Sequence, residues 1–288
     1  MLIVGATVFT WLLYEHGEPF PRGLQSVQID DDLREIGRSH EPTIGIVAGP
    51  RTALAELAEA LGARQTVAAR EAAGARAREI GASRAQQAER VRAAADAERD
   101  RVPISQAHLM RTLAAVAPGD VVVVDESATS LPYVLRYLPF ATPGSFYGGK
   151  TGTLGWGMGA ALGVQLASPG RTVVATIGDG SVMYSPQALW TAAKYRLPVK
   201  YVVANNASYA ILKSGMLTLG LDAAKREIYP GMDLVDPEID YVALARSLGV
   251  RAERVDKPDV LGDVLRACLA HPGPALVDVA IDRGFKAM

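Results

Sequence analysis

One cysteine, Cys268, stands among 288 residues. That excludes an intrachain disulfide framework and fits a reducing, cytoplasmic compartment. Only four histidines are present, and they are scattered, so no thiolate or imidazole metal cluster is expected. Charge of neither sign prevails: 30 Lys and Arg stand against 31 Asp and Glu, a net charge of −1. No basic patch interleaves with the few aromatics, which speaks against nucleic acid, and no field selects an anionic membrane. Long apolar runs are also lacking. The N-terminal stretch MLIVGATVFTWLLYEHGEPF has no basic flank, is broken by Gly5 and Thr7, and closes at Glu15 and His16. It is too short to span a bilayer and is a poor signal sequence. It is read instead as a buried strand, Leu2–Val4, turning at Gly5 into a short helix. A chain that opens inside a core strand is expected to begin mid-domain.

What is present is an ordinary globular balance, 49% apolar and 21% charged, in a chain long enough for a sizeable core. Residues 1–61 alternate strand and helix signals: strands at Leu2–Val4, Gln25–Ile29 and Ile44–Val47, then a helix from Thr52 to Leu61. They are expected to form a small α/β unit or a piece of one. Residues 62–101 turn to Ala, Arg, Glu and Gln and are read as a solvated helical connector, with a disordered linker as the alternative.

Residues 102–288 form a regular α/β series. A helix over Ser105–Ala117 leads to a continuous apolar strand, Val121–Val124, of the kind covered on both faces. A Gly-rich helix follows at Thr153–Ala167, then strand 172–177, helix 185–195 and strand 199–204. A polar, mobile stretch runs to about residue 237. Helices at Asp240–Leu248 and 258–270 and a strand at Ala275–Ile281 complete the series. Such alternation predicts right-handed crossovers and an α/β fold: a mostly parallel sheet with helices on both faces. Ligands on these sheets bind at the carboxyl ends of strands.

Two short motifs stand at such ends. TVVATI runs into Gly178-Asp179-Gly180-Ser181, and VKYVVA runs into Asn205-Asn206. Either alone is a turn signal. Together they close two apolar strands in the same phase, with a helix between, so a carboxylate and a carboxamide could share one rim. Oxygen ligands in that setting suit Mg²⁺, which usually brings phosphates. The glycines allow a sharp turn and close approach to an anion. Ser185-Pro186 reads as a helix opening, with Ser185 as its cap. GWGMG invites a dinucleotide-binding reading, but no strand runs into it.

GDGS followed by NN resembles the diphosphate-binding motif of thiamine diphosphate (ThDP) dependent enzymes. The similarity extends through Gly144–Trp156, Ala161–Ala167, Gly178–Tyr195 and Asn205–Leu212, and covers residues 102–288. It is most like the benzoylformate decarboxylases, in the group that also holds acetolactate synthase and pyruvate decarboxylase. Residues 1–61 look like the latter part of that family's middle domain.

The resemblance implies Mg²⁺ bound by Asp179, the side-chain oxygen of Asn206 and the carbonyl of Ser208. It implies a diphosphate, entered through Gly178, held by Ser181 and the amides of Gly180 and Tyr209. Leu154 would prop the cofactor into its bent form, and the Gly152 carbonyl would accept from the aminopyrimidine. Glu126 and Thr129 would line the cofactor and substrate pocket. The implied reaction is non-oxidative decarboxylation of a small-molecule 2-keto acid. Acetolactate synthase-like carboligation and a non-catalytic ThDP-binding subunit are the alternatives. Gly148 and Gly215 align where an aryl pocket has aromatic walls, which leaves aliphatic or larger acids open. Ser214–Asp236 is expected to close over the site as a lid, with a surface loop as the alternative.

In this family the glutamate that activates the cofactor sits in an N-terminal pyrimidine-binding domain. The site forms between subunits, so a homodimer or homotetramer is implied. The chain is therefore expected to be incomplete, with the pyrimidine domain in a missing N-terminal half or in a partner subunit. The chain alone is expected to be inactive.

Overall fold

The computed structural model describes residues 1–6, 17, 20–140, 142–149 and 152–286. The short helix expected after Gly5 falls largely outside them. Contacts divide the chain into two compact units, Met1–Gln87 and Ala88–Met288.

The first unit holds a parallel sheet of β1 (Leu2–Val4), β2 (Val27–Asp30) and β3 (Ile44–Val47), in that order. Central β2 is the better buried strand, with Ile29 inside. Leu2–Val4, expected as a buried strand, pairs with β2 alone among the described residues. Apolar sequence called β1 correctly, but neighbours decide burial. Helix α1 (Pro50–Arg64) opens with proline in its first turn, where no amide is needed, and buries no residue. Helix α2 (Val67–Ala97) is long and Ala- and Arg-rich and buries only Ala95, and the division between the two units falls within its sequence.

The second unit begins at α3 (Gln106–Val116), capped by the Ser105 hydroxyl, which accepts from the His108 amide at 3.1 Å. Then come β4 (Val122–Glu126), a tight turn at 128–130, α4 (Leu131–Tyr137), β5 (Phe146–Gly148) and α5 (Trp156–Ala167). Next are β6 (Val173–Gly178), α6 (Asp179–Val182), α7 (Ala188–Lys194) and β7 (Lys200–Asn205). The unit ends with α8 (Ala210–Thr218), α9 (Asp222–Lys225), α10 (Tyr241–Ser247), β8 (Arg251–Val255), α11 (Pro258–Ala270) and β9 (Ala275–Ala280).

Six strands pair in parallel in the order β5-β4-β6-β7-β9-β8. Helices α3, α4 and α11 cover one face through Leu109, Leu113, Val134, Leu261 and Leu265. Helices α5, α7 and α10 cover the other through Met158, Ala161, Leu189 and Ala245. Strands sandwiched this way are buried on both faces, which is why β4, β6 and β7 read as unbroken apolar runs. The chain leaves β4 by way of α4 on one face and leaves β6 by way of α7 on the other. The carboxyl ends of these neighbouring strands therefore flank a crevice, the usual ligand position in such sheets.

Three expectations are corrected. The stretch after Asn206 is not an open polar loop: α8 and α9 occupy much of it. Lys213 on α8 is buried, pairs with Asp233 at 2.6 Å and lies over the rings of Tyr229 and Phe285. A lid over Ser214–Asp236 therefore starts on a packed helix. Ser185 does not cap α7, whose first residue is Ala188; its hydroxyl donates instead to the Gly155 carbonyl at 2.5 Å. The Gly-rich helix starts at Trp156 rather than Thr153, because Gly155 is left-handed at φ +88°. Strands β5 and β8 were not foreseen. β8 reads RAERV, and its edge position lets its charges face water.

Candidate functional site

Strands β6 and β7 are direct neighbours, with Gly178 opposite Ala204 in the ladder. Their motifs thus leave the sheet side by side. A small cleft of about 60 Å³ lies there, lined by residues that include Thr129, Leu154, Gly178, Asp179, Gly180, Ser181, Asn206, Ser208 and Tyr209. Of the residues expected at the site, Gly152 and Glu126 are not in this lining. A wider open groove of about 610 Å³, bordered by Glu238, Asp240, Arg246 and Arg254, contains none of the expected residues.

Asp179 is buried at the first position of α6. Its Oδ1 accepts from the Gly180 amide at 2.8 Å, and its Oδ2 is buried with no hydrogen-bond partner among the described residues. Burial pushes its carboxyl up to about 6, against the pull of the backbone amides of Gly180, Ala207 and Ser208. Tyr241 fixes the backbone here by donating to the Asp179 carbonyl at 2.9 Å. Nothing in the sequence signalled Tyr241, which lies on α10 far along the chain.

After β7 the chain folds into two side-chain-closed turns. Asn205 Oδ1 accepts from the Ala207 amide and Asn206 Oδ1 from the Ser208 amide, each at 3.0 Å. Residues 207–209 then meet 232–234 in an antiparallel bridge, in which Leu234 donates to the Ala207 carbonyl and Tyr209 to the Met232 carbonyl, both at 2.8 Å. This bridge leaves the Ser208 carbonyl out of its pairing. It also takes the Tyr209 amide, which was expected to hold a diphosphate, just as Asp179 takes that of Gly180. Both amides need a rearrangement before they could serve an anion.

Gly180 has a steric reason: a Cβ there would meet the Tyr209 ring at 2.6 Å. Ring and glycine thus bring the two motifs into contact.

Glu126 corrects its expectation. It ends β4, is buried, and gives its carboxylate to the amides of Gly155 and, at 2.5 Å, Gly157. It stands behind the cleft rather than in its wall. Asp125, which the sequence reading passed over, is the other buried acid at this edge. It accepts from the hydroxyls of Ser127 and Thr176, both at 2.6 Å, tying β4 to β6, and burial raises its pKa. An acid pair closing an apolar strand, VVVVDES, was the available signal. Among the described residues no three His, Cys, Asp or Glu side chains cluster as a metal site, and no helix is long and apolar enough to cross a membrane.

The family described as "Thiamine pyrophosphate enzyme, C-terminal TPP binding domain" matches residues 128–279, more than half of the chain. Benzoylformate decarboxylase of Pseudomonas aeruginosa is 31% identical over 283 residues, covering 97% of this chain and 48% of that protein. Acetolactate synthase isozyme 2 large subunit of Escherichia coli is 30% identical over 175 residues, covering 60% of this chain and 31% of that protein. Among solved structures, the thiamine diphosphate-dependent 4-hydroxybenzoylformate decarboxylase of Rhodococcus jostii RHA1 matches with a TM-score of 0.76 at 27% identity. That match covers 98% of this chain and 49% of the other. The chain thus spans about half the length of the decarboxylases it matches. The ends of β6 and β7, with the motifs that follow them, lie within the matched residues, and the chain belongs to the thiamine pyrophosphate enzyme family, of which it carries the C-terminal TPP-binding domain.

Proposed function

We propose that this chain supplies the diphosphate- and Mg²⁺-binding half of a ThDP-dependent enzyme that decarboxylates a 2-keto acid without oxidation. The observation that carries this reading is the orphaned Oδ2 of Asp179. A buried carboxylate oxygen without a partner is costly and calls for a missing cation or water. Asn206 and Ser208 line the same cleft, and the Ser208 carbonyl is outside the local ladder. One carboxylate, one carboxamide and one backbone carbonyl make a hard oxygen set that suits Mg²⁺ with phosphate and water completing the shell. The residues present therefore fit the group.

Asp179, Asn206 and Ser208 would hold the metal. Ser181, with Gly178 and Gly180 giving close backbone approach, would hold the diphosphate once the Gly180 and Tyr209 amides turn toward it. Leu154 and Thr129 would meet the cofactor above the diphosphate, and the Gly152 carbonyl would accept from its amine. Bound there, ThDP would supply the electron sink that decarboxylation of a 2-keto acid requires. The chain's own part is to bind, orient and exclude water.

A cleft of about 60 Å³ is far below the roughly 300 Å³ that encloses a cofactor-sized ligand. We assign the remaining wall, with the glutamate acting on the pyrimidine ring, to a pyrimidine-binding domain elsewhere in a longer chain or in a partner subunit. A homodimer or homotetramer in the cytoplasm suits that assignment. The half-exposed Met183 and the more exposed Tyr184, Trp190 and Tyr195 on and beside α6 and α7 offer it an apolar surface. We assign residues 1–61 to a partial middle domain, 62–101 to its helical connector and 102–288 to the diphosphate-binding domain. Identity to acetolactate synthase favours carboligation as the second reading. Gly148 and Gly215 supply no aromatic wall of their own, which leaves aliphatic or larger 2-keto acids open as substrates.

Titration calorimetry tests the reading. Mg²⁺-dependent ThDP binding that disappears in Asp179→Ala is expected. No binding, even with a pyrimidine-domain partner added, overturns it. Rapid decarboxylation by the chain alone overturns the half-site assignment.

A further inference from the structure

The acid behind the cleft joins the two halves of the cofactor contact. The backbone of Glu126 pairs with Ile177 in the ladder, two residues before Asp179. Its side chain crosses to the start of α5, where the carboxylate accepts from the amides of Gly155 and Gly157. Gly155 follows Leu154 directly, so the carboxylate fixes the peptide that carries the Leu154 side chain. On its other side the same residue is held by Ser185, whose hydroxyl donates to the Gly155 carbonyl.

Sterics leave this arrangement no slack. A Cβ at Gly157 would meet Glu126 Oε2 at 2.8 Å, Glu126 Cβ at 2.9 Å and Ile177 Cδ1 at 2.9 Å. A Cβ at Gly155 would meet Tyr184 Cβ at 2.5 Å, and Gly155 is left-handed besides. Gly155 is thus clamped between the end of β4 and the segment joining α6 to α7. Leu154 itself is 45% exposed, so its own packing does not hold it in place. Its position in the cleft wall depends on the backbone beneath it.

We propose that Glu126 is a positioning residue, whose carboxylate sets Leu154 at a fixed place relative to Asp179 and so pre-organises the chain for the ring portion of the cofactor. Its charge suits the task. A carboxylate accepts two N–H groups at once, and it lies at the amino end of a twelve-residue helix, where a negative charge is favoured. A carboxamide accepts one N–H and presents its own NH₂ to the other. This inference rests on the cofactor reading above and names a residue that acts through Leu154 without touching the ligand.

The test compares two ligands. Mg·pyrophosphate reaches only the metal and diphosphate groups, whereas Mg·ThDP also meets Leu154. Both are titrated by calorimetry into the 288-residue chain, its Glu126→Gln and Leu154→Ala variants, and the double variant. Glu126→Gln is expected to weaken Mg·ThDP about tenfold, the loss of one charge-assisted hydrogen bond, while Mg·pyrophosphate stays within about twofold. In the Leu154→Ala background, Glu126→Gln is expected to cost Mg·ThDP no further affinity, since both changes remove the same contact. Should Glu126→Gln fail to fold, Ser185→Ala releases the other side of Gly155, and the same selective loss is expected from it. Equal weakening of both ligands, no weakening of either, or losses that multiply in the double variant would overturn the positioning role. Failure of the unaltered chain to bind either ligand, even with a pyrimidine-domain partner added, would overturn the cofactor reading, and this inference with it.

Discussion

The two units of this chain use similar sequence to different ends. IGIV in β3 and VVATIG in β6 both read as buried parallel strands, yet Ile44, Ile46 and Val47 are exposed while Val173 to Ile177 are fully buried. Helix α1 carries Leu54 and Leu61 on an Ala-rich run and buries nothing, whereas α11 sets Leu261, Leu265 and Cys268 into the core. Apolar periodicity states which face could be buried. It does not state whether anything covers that face, and the hydrophobic contribution follows area removed from water.

Leu265→Ala in the second unit is expected to cost about 2–5 kcal/mol in denaturant unfolding, since the residue is closed in on all sides. A loss below about 1 kcal/mol would show that the sheet faces are looser than drawn. Asp179→Ala is next: it should lower Mg·ThDP affinity by about 100-fold or more, with loss of a charged hard ligand. The melting temperature of the ligand-free chain should not fall, because the substitution also removes a buried oxygen without a partner. A large drop would mean that the acid is structural.

Gly180→Ala puts a methyl group against the Tyr209 ring and should cost about 1–3 kcal/mol of stability. Trimming Tyr209 to Ala alongside it should restore part of that loss in a thermal melt. An unchanged melt for Gly180→Ala would remove the steric argument for that glycine.

The fourth effect is one of pH. The Asp179 carboxyl, near 6 in the folded chain against an ordinary 3.8, holds its proton more tightly folded than unfolded. Its contribution to the stability of the ligand-free chain is full below 3.8 and is lost as pH rises through about 6. A cation must displace that proton, so Mg·ThDP affinity should fall by about tenfold per pH unit below 6. Affinity that stays level from pH 7 to 5, measured by calorimetry, would refute the coupling. The smallest effect belongs to the first unit, where Ile46→Ala, on an exposed strand, should change stability by less than about 0.5 kcal/mol. A larger loss would show that β3 is covered in solution.

Legibility followed the range of the interactions. Strands β4, β6 and β7 were readable because burial on both faces demands unbroken apolar runs. That Asp179 and Asn206 share one rim was readable because both close such runs in one phase. Strands β5 and β8 were not, since edge strands need only half the apolar pattern, and RAERV looks like surface. Glu126 was assigned to the pocket wall because its place after a strand is visible, but its direction is not. Two glycine amides that lie about thirty residues away in the chain claim its carboxylate, and a backbone donor leaves no mark in composition. Ser185 failed as a cap for the same reason: its hydroxyl found the Gly155 carbonyl.

By itself, the sequence determined the α/β series, the two strand-end motifs and the kind of atoms they offer. Those follow from local patterns of burial, turn chemistry and ligand type. Tertiary structure alone decided that β6 and β7 are neighbours, that one oxygen of Asp179 is left without a partner, and that Glu126 braces Leu154 from behind. Each of these depends on which backbone and side-chain groups meet across long stretches of chain, and that is settled only when the sheet closes its order.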